Sequence, residues 1–409
     1  MSKFPPKLTA GRIFDLSLTT FSTVCHRFYT LITSYILTPI GIWPAVFEGV
    51  GRFLPIILIV ICNLALCFAI IPSVLHTIYE EKNVVARMKL LGIVSFSIAA
   101  ALKYLILAFR RSIILQCVKQ VQEDWKLVSK IFLFVTYLGR NLTIICGSLM
   151  YAGGVIFHVT NPFMPDVNDN HSQRRNHTIV NFYPTYAGFF DTQNGPACEL
   201  VLGFQLIAEY VMYSSTAGGY SLAALFATHA CGQLEVVISH LKDLVDGDLF
   251  QQSLGVHGRY PFAIIKLEIS SDELDYRMLQ EVCLVELVGS AFMICLLEYY
   301  CMLEWSDHNA KGFTLYFLFF ISLTFNIFIM CYIGEILTQK TSDIGDTCCT
   351  IEWYRLPIEA SRGLILIMGI STNPVTITAG RMVDLSISTF GNVLKTSLAY
   401  YSFLRTNGF

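Results

Sequence analysis

Seven stretches of this sequence each run for about 20 mostly apolar residues, the length of helix that crosses a hydrocarbon core roughly 30 Å thick. They are Phe53 to Ile78, Leu90 to Phe109, Ile131 to Val159, Leu200 to Ala227, Val282 to Leu303, Phe313 to Leu337 and Met382 to Leu404. The seventh is the least apolar of them, since Asp384, Ser386, Ser388, Thr389, Asn392, Lys395, Thr396 and Ser397 all lie within it. The rest of the chain agrees. Apolar residues make up 54% of it and charged residues 14%, too few charges for the surface of soluble domains. The expected fold is therefore an all-α membrane protein with seven transmembrane helices.

Lys and Arg in the connecting segments set the orientation. With the N-terminus cytoplasmic, the inner side receives most of them, among them Lys3, Lys7, Arg12, Arg52, Arg110, Arg111, Lys340 and Arg381. The outer side receives few, such as Lys82, Arg87, Arg174 and Arg175. An odd number of crossings then places the C-terminus outside. The expected division is a cytoplasmic N-terminal segment, 1–52, followed by helices one to six over 53–337. That region includes an extracellular loop, 160–197, and a cytoplasmic helical extension, 229–281. A cytoplasmic anchor segment, 338–381, precedes the last helix, 382–409. The extension and the anchor segment are expected to form a small cytoplasmic bundle, because Leu234, Val237, Ile238, Leu241 and Leu244 make one apolar helical stripe. The outer loop carries the sequon Asn176-His177-Thr178, a candidate glycosylation site. No cleavable signal peptide is recognisable in residues 1 to 29, so the first span is expected to serve as its own insertion signal.

Several kinds of chemistry are absent from the sequence. A net charge of -2 without a basic face gives no reason to expect nucleic acid. The 13 cysteines are scattered, many inside apolar runs, with no C-x-x-C pair, so no metal and no cofactor is expected. H-E-x-x-H, G-x-S-x-G, the P-loop and the dinucleotide fingerprint are all missing, and the chain is not expected to be an enzyme.

Ionisable residues within spans are costly and mark function by default; here they include Lys103, Arg140, Glu209, Glu286, Glu298, Asp384 and Lys395. Lys103 also fits snorkelling toward an interface. Glu209 precedes an unusually small helical turn, Ser214 to Gly219, which suits close helix packing or a lined cavity. Aromatics are dense toward the outer helix ends. Phe96, Tyr151, Phe157, Phe204, Tyr210, Tyr213, Tyr316, Phe319 and Phe320, with Glu209, form the candidate pocket for a small volatile apolar ligand. The seventh span is too polar to face lipid all round, and it suits a water-filled path with a constriction at Phe403 and Leu404. A cation facing that path repels cations, so Lys395 is expected to point away or to pair with Asp384 or Glu286.

Gly41-Ile42-Trp43-Pro44 before the first span and Cys231-Gly232-Gln233-Leu234 after the fourth are distinctive, and the C-terminal stretch is more so. There, Pro374 to Gly380 reads P-V-T-I-T-A-G, followed by Leu385, Phe390, Val393-Leu394-Lys395-Thr396-Ser397, Tyr401-Ser402 and Leu404. In these residues the chain resembles the insect odorant receptors, and among them the odour-tuning subunits more than the shared co-receptor. The related gustatory receptors end in T-Y-five apolars-Q, and Ala399 to Thr406 lacks both the Thr and the Gln. A rhodopsin-like G-protein-coupled receptor needs an external N-terminus, an acidic-Arg-aromatic triplet and N-P-x-x-Y in its last helix. Asn373-Pro374-Val375-Thr376-Ile377 has no Tyr and precedes the helix.

The resemblance implies an odour-gated, non-selective cation channel assembled with co-receptor subunits, as a tetramer in the plasma membrane of olfactory sensory neuron dendrites. It places the pocket in the outer half among helices two, three, four and six, and it lines the pore with the seventh helices. The gate then falls at Phe403, Leu404, Thr406 and Asn407. Metabotropic seven-helix chemoreceptors, gustatory-type channels and solute transporters are the alternatives. A transporter calls for inverted repeats or helices broken near the midplane, whereas Pro55 and Pro72 lie near the ends of one span.

Overall fold

In the computed structural model, residues 32–43, 53–127, 133–160, 196–243, 275–355 and 358–406 are described. Among them the elements are α1 (Leu54–Leu75), α2 (Val84–Phe109), α3 (Arg111–Leu127), α4 (Leu133–Thr160), α5 (Pro196–Asp243), α6 (Asp275–Ser306), α7 (Ala310–Thr350), α8 (Ile358–Ser371), the two-residue strands β1 (Thr378–Ala379) and β2 (Val383–Asp384), and α9 (Ile387–Thr406). The helices α1, α2, α4, α5, α6, α7 and α9 fall on the seven apolar stretches. Five of them, α1, α2, α5, α6 and α7, are long and apolar enough to cross a membrane by length and composition. The amphipathic α3 and the 14-residue α8 are the additional pieces.

Local chemistry explains several boundaries. α1 begins with Pro55 in its first turn, where the missing N–H costs nothing. Pro72 near its other end removes a backbone donor, and the helix continues as a π-turn over His76–Glu80. Asn83 caps α2 by accepting from the Val85 N–H at 3.0 Å, and Asn309 caps α7 by accepting from Gly312 at 3.3 Å. α5 and α7 run for 48 and 41 residues, well beyond the ends of their apolar stretches.

The start of the last helix differs from the sequence expectation. Met382 to Ser386 are not helical, because the chain turns at Gly380 and Arg381, both at φ +60°. Two successive left-handed residues make a hairpin turn rather than a helix entry. β1 and β2 pair antiparallel across it, Ala379 opposite Val383. A side chain at Gly380 would press into Leu284 of α6, so glycine serves there for space as well as for φ. Asp384 consequently lies outside the helix, where it accepts the Thr376 hydroxyl at 3.1 Å.

α5 lies at the centre of the bundle, against α1, α2, α4 and α7, while α6 packs against α2, α7, α9 and β1. α2 and α6 run antiparallel, held at three heights by Lys89–Glu304, Lys103–Glu286 and Arg110–Glu281. Small residues let them approach closely. A Cβ at Gly92 would meet the Tyr300 hydroxyl at 3.0 Å, and one at Gly289 would meet the Ala99 Cβ at 3.1 Å. The segment before the first span is partly buried in the same core: Leu37, Ile40 and Ile42 are fully enclosed, and the Ile40 carbonyl accepts the Tyr104 hydroxyl at 3.0 Å. Outward faces carry bare aliphatic residues, such as Ile56, Ile57, Val60 and Leu64 of α1, as a lipid-facing surface should.

Candidate functional site

The small turn of α5 is where four elements converge. Ser214 hydrogen-bonds the Tyr151 hydroxyl of α4 at 2.8 Å, and the Ser215 hydroxyl donates to the Ala100 carbonyl of α2 at 3.3 Å. A Cβ on Gly218 would collide with Leu37, and one on Gly219 would meet Val282 of α6 at 3.2 Å. The hydroxyls and the missing side chains are both in use, so close packing and cavity lining occur on one helix.

Beside that turn lies a cavity of about 20 Å³. Its apolar wall is Phe96 and Ala99 of α2, Met150 of α4, Val285 and Met293 of α6 and Leu323 of α7. Its polar wall is Lys103, Thr216, Glu286 and Ser290. Lys103 Nζ donates to Glu286 Oε2 at 2.5 Å and to Thr216 Oγ1 at 2.8 Å. Glu286 Oε1 accepts from the Tyr220 hydroxyl at 2.7 Å and from the Ser290 hydroxyl at 2.8 Å. Both ionic side chains are almost wholly buried, at 4% and 7% exposure, so Lys103 does not reach an interface and the snorkelling reading is corrected. A charge at that depth persists because it is paired and hydrogen-bonded to its neighbours.

Of the candidate pocket residues, the structure brings Phe96, Tyr151, Tyr213 and Phe319 together. Tyr213 lies 6.2 Å from Phe96 and 6.4 Å from Tyr151 between ring centroids. Gly153 and Gly154 of α4 leave room for Phe319 and Tyr213, whose rings a Cβ there would meet at 3.3 Å and 2.6 Å. Phe320 packs against the main core and Glu209 is buried in it. Tyr316 packs, as Phe319 and Phe320 also do, against a second cluster, its ring 5.3 Å from that of Tyr300 and under the Lys89 ammonium. Phe204 and Tyr210 face outward, at 39% and 41% exposure, Phe204 resting on Phe68 of α1. Phe157 lies near the end of α4. Asn176 and Asn407 lie outside the described residues.

Residue spacing did not point to Lys103, Thr216, Glu286, Ser290, Met150, Met293 or Leu323 as parts of one cavity, nor to the fifth span as its main contributor. The signal was present in two opposite charges that each interrupt an apolar run, since two such ions are stable in lipid only in contact.

At the far end, α9 packs chiefly on α6 and α7 among the described elements. Its inner stripe, Phe390, Leu394, Ser397 and Tyr401, is buried or half-buried, and the Ser397 hydroxyl donates to Glu298 Oε1 at 3.1 Å. Its outer stripe, Asn392, Thr396, Tyr400 and Phe403, is exposed, with Tyr400 at 61% and Phe403 at 63%. Leu404 and Thr406 close the helix, and Thr406 is exposed. Lys395 is exposed and has no ion-pair partner among the described residues. Glu286 is occupied by Lys103 and Asp384 precedes the helix, so neither expected partner is available to it.

The family profile described as 7tm Odorant receptor matches residues 83–398. The chain belongs to the 7tm odorant receptor family. Relatives of this odorant receptor chain include Odorant receptor 2a of Drosophila melanogaster, 24% identical over 132 residues, which are 32% of this chain and 33% of the relative. Putative odorant receptor 92a of the same species is 25% identical over 29% of this chain and 28% of the relative. The matched segment thus spans about a third of the length of these relatives. Among solved structures, the insect olfactory receptor OR5 from Machilis hrabei is similar with TM-score 0.72 and 12% identity, covering 93% of this chain and 98% of that one. The same receptor in complex with eugenol gives TM-score 0.66, covering 95% and 100%. The odorant receptor chain therefore has the all-α, seven-transmembrane fold of the insect olfactory receptors, and it falls in a chemoreceptor family instead of an enzyme family.

Proposed function

We propose that this odorant receptor chain is the odour-tuning subunit of a ligand-gated, non-selective cation channel. It binds a small volatile apolar molecule among its membrane helices and opens a pore that α9 lines. The observation that carries this reading is the one-sided packing of α9. A helix whose outer stripe includes Asn392, Thr396 and Tyr400 is poorly suited to lipid, and among the described residues it packs chiefly on α6 and α7, with that stripe left exposed. Copies from neighbouring subunits enclosing a water-filled path satisfy that stripe. Phe403, Leu404, Thr406 and Asn407 are the proposed gate.

The ligand site is proposed around Phe96, Tyr151, Tyr213 and Phe319 and the adjoining cavity. At about 20 Å³ that cavity is far below the roughly 300 Å³ of a preformed small-molecule site, so binding requires side chains to move aside. Met150 and Met293 on its wall are well suited to that, being unbranched and adaptable. The partners are proposed to be a volatile odorant, membrane lipid and odorant co-receptor subunits, in a tetramer at the plasma membrane of the sensory dendrite. The N-terminus is proposed to be cytoplasmic, the C-terminus extracellular and Asn176 glycosylated. Segments 229–281 and 338–381 are proposed to anchor the subunits.

The test is whole-cell recording with an odour panel in cells lacking G-protein signalling, with the chain expressed alone and together with an odorant co-receptor. The expected result is a fast inward current in the co-expressing cells and negligible current from the chain alone. Odour responses that appear only once G-protein signalling is restored to the co-expressing cells would refute the channel reading.

A further inference from the structure

The polar wall of the cavity has a property that its apolar wall does not explain: its two ions are unequally satisfied. Glu286 accepts from Lys103, Tyr220 and Ser290, three donors for one carboxylate. The Lys103 ammonium has three N–H groups, of which two are used, on Glu286 and Thr216. The third has no acceptor among the described residues. Thr216 Oγ1, which accepts from Lys103, likewise keeps its own O–H without a described acceptor. The wall thus presents two donors to a space already charge-balanced by the ion pair. Its volume suits one small polar group.

We propose that this cavity selects neutral molecules that carry a carbonyl oxygen, as in ketones and esters, the oxygen accepting from Lys103 Nζ and Thr216 Oγ1 while the carbon chain lies between Phe96, Met150, Met293 and Leu323. The proposal rests on the receptor reading above and narrows it to a ligand class. A hydrocarbon offers no acceptor to the two donors. An alkylammonium sets a second cation beside Lys103, and a carboxylate adds a second anion beside Glu286, each a third charge in a low-dielectric site. A neutral acceptor completes the hydrogen bonds without adding charge, and a bond of this kind to a charged group is worth roughly tenfold or more in affinity.

The experiment records concentration–response curves from the full chain co-expressed with an odorant co-receptor. The probes are 2-heptanone, 2-nonanone and heptyl acetate, with 1-heptene, 1-nonene and heptylamine as matched controls. The wild-type chain should answer the carbonyl compounds at concentrations about tenfold or more below the alkenes, with heptylamine weaker still. In Thr216→Val, which leaves the ion pair and the Lys103 donor intact, that gap should narrow severalfold through the carbonyl compounds alone. The double variant Lys103→Met/Glu286→Gln should close it too. Surface labelling of each variant separates lost recognition from lost folding. A gap unchanged in normally displayed Thr216→Val and Lys103→Met/Glu286→Gln chains, or a wild-type chain that answers alkenes and ketones equally, overturns the assignment and leaves the receptor reading standing. A wild-type chain that is displayed at the surface and answers none of the probes, while its partner answers its own agonist, overturns both.

Discussion

Lys103 and Glu286 illustrate how burial changes the meaning of a charge. Each is nearly inaccessible, so removing one leaves the other as an unpaired ion in a dry interior, a loss of roughly 3–5 kcal/mol, whereas replacing both with neutral groups is far milder. Lys103→Met and Glu286→Gln should therefore each lower the melting temperature of detergent-solubilised protein more than the double variant does. Additive single effects would show that the pair is not coupled. From sequence, Lys103 was recognisable as an intramembrane charge but not as a partner of Glu286, since the two stand 183 positions apart and only the antiparallel alignment of α2 with α6 joins them. Facing was equally hidden along α5. Its apolar residues surround the helix with little periodicity, so nothing in the spacing separates Tyr213, turned inward, from Phe204 and Tyr210, turned outward.

The helices themselves were legible because a run of about 20 apolar residues has one stable solution in lipid. Their ends were less so. The last one begins at Ile387 because of Gly380 and Arg381, whose left-handed conformations are a matter of backbone geometry that hydropathy does not register. The same junction is pinned against α7, where Gly334 lies so close to Leu385 that an added Cβ would strike the Leu385 carbonyl. Gly334→Ala should destabilise the protein by about 1–3 kcal/mol through overpacking, despite the better helix propensity of alanine. Because the obstacle is backbone, Leu385→Ala should not rescue it. Thermal unfolding of the two single variants and the pair checks both statements, and a Gly334→Ala protein as stable as wild type would mean that β2 and α9 do not dock on α7 as described.

For the whole molecule, the question is which outward surfaces meet lipid and which meet water. The exposed face of α1 is apolar, with Ile56, Ile57, Val60 and Leu64, and lipid can solvate it without a protein partner. The exposed face of α9 has Asn392, Thr396 and Tyr400 on one stripe, which hydrocarbon solvates poorly, and the proposed assembly encloses that stripe around water. Single cysteines at Asn392→Cys and Thr396→Cys, in a background with the exposed Cys67 and Cys349 replaced by Ser, should react with a membrane-impermeant thiol reagent when the assembled channel is opened by ligand. Val60→Cys and Leu64→Cys should stay unreactive under the same conditions. If the α9 positions react no faster than the α1 positions in the open channel, the last helix does not line the path, and its polar stripe must be satisfied by protein instead of water.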